Sequence, residues 1–230
     1  MMAAQHGKHV AVEKPVAGTI LEIHEAYDAC EANGVELFCS FQRRADAAYS
    51  AVARYVHDGF IGQVASVHCT FRDHPTPATE FLAAPGGCIF SDLLVHDADF
   101  VRWLLDSDPC GSDIVSVSAH GATFSRNLEE AKKEGTFDFA TVLLVFRSGC
   151  VATFDLSRHS AYGYDQRVEV FGSNGCRVAV TNPPSASWES SGATEASAMM
   201  PPLMHSFPER FAAAFDEEAM VFGSIVRSGT

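Results

Sequence analysis

Hydrophobic residues near the start of the chain alternate between the spacing of strands and the spacing of helices. Apolar runs predict buried strands at residues 8–15 and 35–41. Between them, Thr19 and Glu22 have the spacing of a capping box, which predicts a helix that ends at Asn33-Gly34. Because a helix joins the two strands, a parallel strand pair is expected.

Beyond this first unit, a helix is predicted over residues 46–58, and after Gly62 the pattern changes to short strands separated by tight turns. The predicted strands lie at residues 64–71, 114–120, 140–147, 150–156, 167–171 and 176–180. Short turns at 148–149 and 173–175 are typical of hairpins, so an antiparallel meander is expected.

Three further elements complete the predicted order. They are a helix over residues 91–105 with Ser91 as its N-cap, a long loop over 183–205 and a final helix over 207–226. The apolar side of the first of these helices is predicted to contain Leu94, Val95, Ala98, Val101 and Leu105. A short α/β segment is therefore followed by a larger, mostly antiparallel α+β region.

Composition and charge narrow the classes of partner. The 230 residues are 47% hydrophobic and carry a net charge of −13, which argues against nucleic acid and anionic membranes as main partners. Seven widely spaced cysteines include no C-x-x-C pair, so neither a zinc ribbon nor a redox motif is predicted. The N-terminus lacks the apolar core of a signal peptide, and no apolar window is long enough to span a membrane. A soluble cytoplasmic protein is expected.

The stretch with the strongest chemical pattern surrounds Asp92 and His96. Residues four apart on a helix share one face, and a carboxylate beside an imidazole is suited to proton transfer. Gly86-Gly87 before this helix would let a ligand approach the backbone. Two other interpretations remain open: an acidic helix surface with an incidental histidine, and a metal site, although no second histidine has ligand spacing.

Several segments in order resemble the glucose–fructose oxidoreductase, inositol dehydrogenase and rhizopine-catabolism (Gfo/Idh/MocA) superfamily, within it the inositol 2-dehydrogenase branch. The matching stretches are Gly7-Lys8-His9-Val10 through Glu13-Lys14-Pro15, Phe41-Gln42-Arg43-Arg44-Ala45-Asp46, Phe71-Arg72-Asp73, Gly86-Gly87 through Asp92, His96 and Asp97, and Tyr162-Gly163-Tyr164-Asp165.

The resemblance implies hydride transfer between a polyol hydroxyl carbon and NAD or NADP. In this scheme His96 is the general acid/base, Asp92 is its partner, and Lys14 lies beside the nicotinamide and the reacting hydroxyl. The implied substrate-side residues are Arg43, Arg72, Asp73, Tyr162 and Tyr164. The implied cofactor-side residues are Glu13, Lys14, Pro15 and Gln42. No metal site is implied.

The same resemblance predicts the fold as α+β (α/β). Residues 1–62 are interpreted as a truncated remnant of the dinucleotide-binding Rossmann domain. Residues 63–230 are interpreted as the substrate-binding and oligomerisation domain, with a large, mostly antiparallel open sheet. A small polyol or sugar and a second copy of the chain, in a dimer or tetramer formed through this sheet, are the expected partners.

One expected motif is not found in the sequence. No G-x-G-x-x-G loop, whose backbone amides hold a dinucleotide pyrophosphate, occurs in the 230 residues. We therefore expect this chain to bind NAD(P) weakly or not at all and to be impaired as an enzyme. The alternative is a non-catalytic descendant that oligomerises or binds a polyol.

Overall fold

The predicted parallel strand pair forms the N-terminal unit. The computed structural model describes residues 1–84, 86–109, 111–124, 137–182, 188–191, 196–199 and 204–228. A short helix α1 (Met2–Gln5) precedes β1 (Val10–Glu13), and α2 (Ile20–Ala32) leads to β2 (Leu37–Ser40), which pairs in parallel with β1.

Local caps explain where the first helices begin. The Thr19 hydroxyl accepts a hydrogen bond from the Glu22 amide, and the Glu22 carboxylate accepts one from the Thr19 amide at 3.0 Å, so the predicted capping box is confirmed. Asp46 caps α3 (Ala47–His57) in the same way, by accepting hydrogen bonds from two backbone amides of its first turn. A single 3-10 turn, Gln42–Arg44, connects β2 to this cap.

The main sheet has six strands, and its order differs from a meander. The strands are β3 (Val64–Arg72), β4 (Ile114–Ala122), β5 (Phe139–Phe146), β6 (Val151–Ser157), β7 (Asp165–Gly172) and β8 (Arg177–Val180). Their spatial order is β4-β5-β6-β3-β7-β8, and only the β3–β6 pair among them is parallel. The prediction of a mostly antiparallel sheet is confirmed. The meander is wrong at one place, because β6 and β7 are consecutive in the chain but not neighbours in the sheet: β3 lies between them.

The helical layer covers one face of this sheet. After the short helix α4 (Thr79–Ala83), a π turn at Phe90–Leu94 leads into α5 (Val95–Leu104). Ser91 is not the N-cap, because it lies inside the π turn and its amide donates to the Cys88 sulfur. The predicted apolar side is also rotated: the side chains that α5 and the π turn bury are Leu93, His96, Asp97, Phe100, Val101 and Leu104. A polar pair is thus part of the buried face.

Two C-terminal predictions are corrected. Within residues 183–205, which were predicted as a loop, β9 (Trp188–Ser191) and β10 (Ala196–Met199) form an antiparallel pair. The final helix is divided into α6 (Phe207–Arg210) and α7 (Ala212–Ser228), because the buried Phe211 leaves the helical conformation between them. No helix in the described ranges is long and apolar enough to cross a membrane.

Candidate active site

Lys14 follows β1 directly and reaches across to the helical layer. Its ammonium group donates hydrogen bonds of 2.8 Å both to the Asp92 carboxylate and to the Asp92 backbone carbonyl. The lysine side chain is 11% exposed, so the pair lies at the edge of a cleft. An ammonium group has three donors, and these two contacts leave one donor for a ligand oxygen.

Arg158 occupies the other oxygen of the same carboxylate. Its guanidinium lies 2.5 Å from Asp92 Oδ2 and donates to the Gly87 carbonyl at 2.6 Å. The same nitrogen that contacts Asp92 is 3.5 Å from Asp73. Burial raises the pKa of Asp73 to about 6, while the Arg158 charge opposes this shift. Two carboxylates and two cations therefore form one cluster, made of Asp73, Asp92, Lys14 and Arg158.

His96 is buried beside these charges and is held neutral. Burial, and then the positive charges of Arg43 and Lys14, lower its pKa well below the ordinary value of 6.5. The ring contacts Phe41 and Phe71, with centroids 6.3 and 6.4 Å away. Its Nδ1 atom has no hydrogen-bond partner within the described residues. A neutral imidazole can accept a proton, so the group is suited to act as a base.

The expected direct partnership of Asp92 with His96 is not present in the described structure. Both carboxylate oxygens of Asp92 are engaged by cations, namely Lys14 and Arg158. A neutral imidazole competes poorly for a carboxylate against two charged donors. In the structure Asp92 therefore contacts Lys14 and Arg158 rather than His96.

Arg43 lies beneath the site rather than in it. Its guanidinium forms an ion pair with Asp97 and donates to Gln166 at 2.6 Å, and the side chain is 2% exposed. It also lies over the rings of Tyr49 and Phe71, at 5.5 and 5.2 Å. A side chain that is 2% exposed offers almost no surface to a polyol, so the structure does not favour the expected substrate contact, which stays a prediction.

Of the two residues in the Arg72-Asp73 pair, only the second belongs to the cluster around Arg158. Neighbouring residues of a strand point to opposite sheet faces, and Phe71 faces the helical layer. Arg72 therefore lies on the opposite face, where it forms an ion pair with Asp155. Asp73 follows the strand end and turns back toward Arg158.

Neither of the two tyrosines that were expected on the substrate side is hydrogen-bonded to this cluster within the described residues. Tyr164 is 3% exposed and is packed between the rings of Phe71 and Phe211, so its surface is already covered. Tyr162 is exposed, but its hydroxyl donates to Asp165 at 2.8 Å and lies on the side of Arg72.

The residues that were expected on the cofactor side also differ in exposure. Glu13 and Pro15 are exposed at the carboxyl end of β1, whereas Gln42 is 5% exposed and its side-chain oxygen has no partner among the described residues. Beside Lys14 lies a cleft of about 360 Å³, lined by Pro15, Ala17, Gly18, Gly86, Phe90 and Val95. This volume is at the lower end of the range for small-molecule sites.

Sequence reasoning missed Arg158. The residue stands one position after β6, in a stretch that matches no quoted motif. Its place in the site depends on the parallel pairing of β3 with β6, in which Arg72 is opposite Ser157. One signal could have indicated Arg158. It continues the alternation of buried positions in β6, where an arginine is unusual unless it is paired.

Comparison with known proteins identifies the family of the chain. A family model described as the GFO/IDH/MocA C-terminal domain matches residues 49–177. The chain is 34% identical over 227 residues to the inositol 2-dehydrogenase of Rhizobium meliloti, covering 98% of this chain and 65% of that protein. It is 36% identical over 173 residues to the scyllo-inositol 2-dehydrogenase (NAD(+)) of Bacillus subtilis, covering 75% and 48%.

Solved structures give the same picture. A probable dehydrogenase from Thermotoga maritima superposes with a TM-score of 0.86 at 31% identity, over 98% of this chain and 65% of that one. The chain thus spans about half to two thirds of the length of the relatives that it matches.

Proposed function

The chain belongs to the GFO/IDH/MocA family, and from this premise we propose that it carries the hydroxyl-binding and proton-transfer residues of a dehydrogenase that acts on inositol or a related polyol. The observation that carries the proposal is the Lys14 ammonium bound to Asp92, four residues before the buried His96, whose pKa is lowered by burial and then by the charges of Arg43 and Lys14. The family and its inositol dehydrogenase branch agree with the motifs of the sequence.

In the direction of alcohol oxidation, the residues divide the work between proton transfer and charge stabilisation. His96 accepts the hydroxyl proton, because its lowered pKa keeps the imidazole unprotonated at neutral pH. Lys14 directs its remaining donor at the same oxygen and stabilises the negative charge that develops there. Asp92 fixes the direction of the Lys14 ammonium through the two hydrogen bonds.

A nicotinamide fits one end of this arrangement. The cleft lined by Pro15, Gly18 and Gly86 adjoins Lys14 and is large enough for a small planar group. NAD(P), when bound, supplies the acceptor for the hydride that leaves the polyol carbon. Because the 230 residues contain no glycine-rich phosphate loop, we expect this chain by itself to bind NAD(P)H weakly or not at all.

Calorimetric titration of myo-inositol and scyllo-inositol tests the proposal. We compare the wild-type chain with Lys14→Met, and use Lys8→Met, an exposed lysine before β1, as the matched control. Losing a charged hydrogen bond costs about 1.5 to 3 kcal/mol, so Lys14→Met is expected to weaken polyol affinity by roughly 10- to 100-fold. Equal affinity in both variants, or no polyol binding by the wild type, would contradict the proposal.

A second candidate function is a non-catalytic one, in which the chain oligomerises through its open sheet. The edge strand β4 leaves Val115 and Val117 exposed, at 53% and 65%. Exposed apolar edge strands pair readily with other chains. Sedimentation analysis, together with an NADH titration, distinguishes the candidates: a stable oligomer that binds neither polyol nor NADH would favour the second.

A further inference from the structure

We propose that Arg158 is a positioning residue of the site, which ties Asp73 and Asp92 together and thereby holds Asp92 toward Lys14. The inference rests on the proposed function, because it assigns a task to a residue beside the same cleft. Arg158 touches neither the cleft surface nor His96 in the described contacts, so its action is exerted through Asp92.

The burial of Arg158 indicates that its position is specified. Its side chain is 0% exposed, and arginine is almost never fully buried unless it is paired. Removing such a charge from water has a high cost, which its acceptors must offset. Here the guanidinium reaches Asp92, Gly87 and Asp73 at 2.5, 2.6 and 3.5 Å.

The three acceptors come from three separate parts of the chain. Asp92 belongs to the π turn, Gly87 to the loop before it, and Asp73 to the end of β3. The parallel pairing of β3 and β6 brings the last of these beside Arg158, and the Asp73 amide donates to the Ser157 carbonyl at 2.8 Å. A planar guanidinium can serve several acceptors in fixed directions, whereas an ammonium group cannot hold the same geometry.

The charges explain why Lys14 alone does not hold the Asp92 carboxylate in one orientation. Two carboxylates at one site disfavour each other's ionisation, and Asp92 contributes to raising the pKa of Asp73. Without Arg158, the Asp92 oxygen that faces away from Lys14 would lose its cation and be free to rotate. The Lys14 ammonium would then lose its defined direction toward a bound hydroxyl.

The first test measures the tie between Arg158 and Asp73. Carbon-13 NMR titration of the aspartate carboxyls is recorded for the wild type, Arg158→Met and Arg158→Lys, with Arg177→Met of an exposed ion pair as the control. A nearby arginine lowers a carboxyl pKa by about 1 to 3, so Asp73 in Arg158→Met is expected to hold its proton at least tenfold more tightly. The control is expected to titrate like the wild type.

Arg158→Lys keeps the charge and serves as the conservative rescue. It is expected to return the Asp73 titration part of the way toward the wild type. If Arg158→Met does not fold, as judged by near-ultraviolet circular dichroism, the lysine variant decides. An Asp73 midpoint equal to that of the wild type in folded Arg158→Met would overturn the proposal, because the arginine would then not act on Asp73. If only Arg158→Lys folds, a midpoint equal to that of the wild type would overturn the claim that the guanidinium geometry is required.

The second test connects Arg158 to Lys14 through a double-mutant cycle on polyol affinity. Arg158→Lys is expected to weaken inositol binding several-fold in the wild-type background and to change it little in the Lys14→Met background. Equal, additive losses in both backgrounds would overturn the positioning role. If the wild type binds no polyol, the proposed function fails. The Asp73 titration then still shows whether Arg158 interacts with Asp73.

Discussion

Two buried arginines pair with two aspartates of the same helical segment, yet only one pair belongs to the cleft. Arg43 binds Asp97, and both side chains are 2% exposed or less. Arg158 is equally buried, but its partners Asp92 and Asp73 are 21% and 14% exposed. We call Arg43–Asp97 the closed pair, because both side chains are buried, and Arg158–Asp92 the open pair, because its aspartate is partly exposed. Only five positions along the chain separate the two aspartates.

The surroundings explain the difference. The Arg43 guanidinium is enclosed by the rings of Tyr49 and Phe71 and by Gln166, so every direction in which it could meet a ligand is filled. The Arg158 pair is extended by Lys14, whose side chain is 11% exposed and whose third donor has no hydrogen bond among the described contacts. The comparison indicates that a buried arginine can influence a binding site when its aspartate partner also contacts an exposed group, as Asp92 contacts Lys14.

The largest expected effect is the loss of stability in Arg43→Met. Removing one partner of a buried ion pair leaves the other charge uncompensated, which costs about 3 to 5 kcal/mol. Urea unfolding followed by circular dichroism measures the change in the free energy of unfolding. A loss below about 1 kcal/mol, as is typical of exposed pairs, would show that the closed pair does not support the fold.

A smaller effect is expected on the pH dependence of stability, to which His96 contributes. Its pKa is lowered in the folded state, so the unfolded state binds more protons below pH 6.5 and stability falls as the pH falls through that region. The raised pKa of Asp73 acts in the opposite sense, because stability falls as the pH rises from 3.8 toward about 6.

His96→Gln separates these two contributions. The difference in unfolding free energy between wild type and variant is expected to change by up to about 1.4 kcal/mol per pH unit below 6.5 and to be constant above it. Thermal or urea unfolding between pH 5 and 8 provides the measurement. A difference that does not vary with pH would mean that His96 is not held neutral by the fold.

The smallest effect is expected for Arg44→Met, which is the natural counterpart of Arg43→Met. Arg44 pairs with Asp99, but its side chain is 47% exposed. Exposed pairs contribute about 0.2 to 1 kcal/mol and are screened by salt. The same urea assay at low and high salt measures it; a loss as large as that of Arg43→Met would remove the contrast between closed and open arginines.

Local patterns in the sequence were sufficient for most elements. The capping box at Thr19 and the hairpin turn at 148–149 depend only on neighbouring residues, and both form as predicted. The motifs also predicted Lys14, Asp92 and His96 as reactive residues; in the structure Lys14 binds Asp92, and His96 is buried where the Lys14 charge lowers its pKa.

Predictions that needed to know which way a side chain points were less successful. Arg72 stands beside Asp73 in the motif, but the two-residue period of β3 places it on the other face of the sheet. Tyr164 and Arg43 matched the family pattern as well as Lys14 did, and both are covered by neighbours that are distant in sequence. A motif gives residue types and spacing, whereas exposure depends on what packs above each residue.

The sequence by itself determined most of the helices and strands and the family, because these depend on short-range spacing and residue type, and it predicted Lys14, Asp92 and His96 as reactive residues. Only the tertiary structure decided that β3 inserts between β6 and β7. That insertion places Arg158 beside Asp73 and Asp92, over a separation of 66 positions from the latter. The physical reason is that hydrogen-bonded strand pairing and burial select contacts between distant segments, and these leave no periodic signal in the chain.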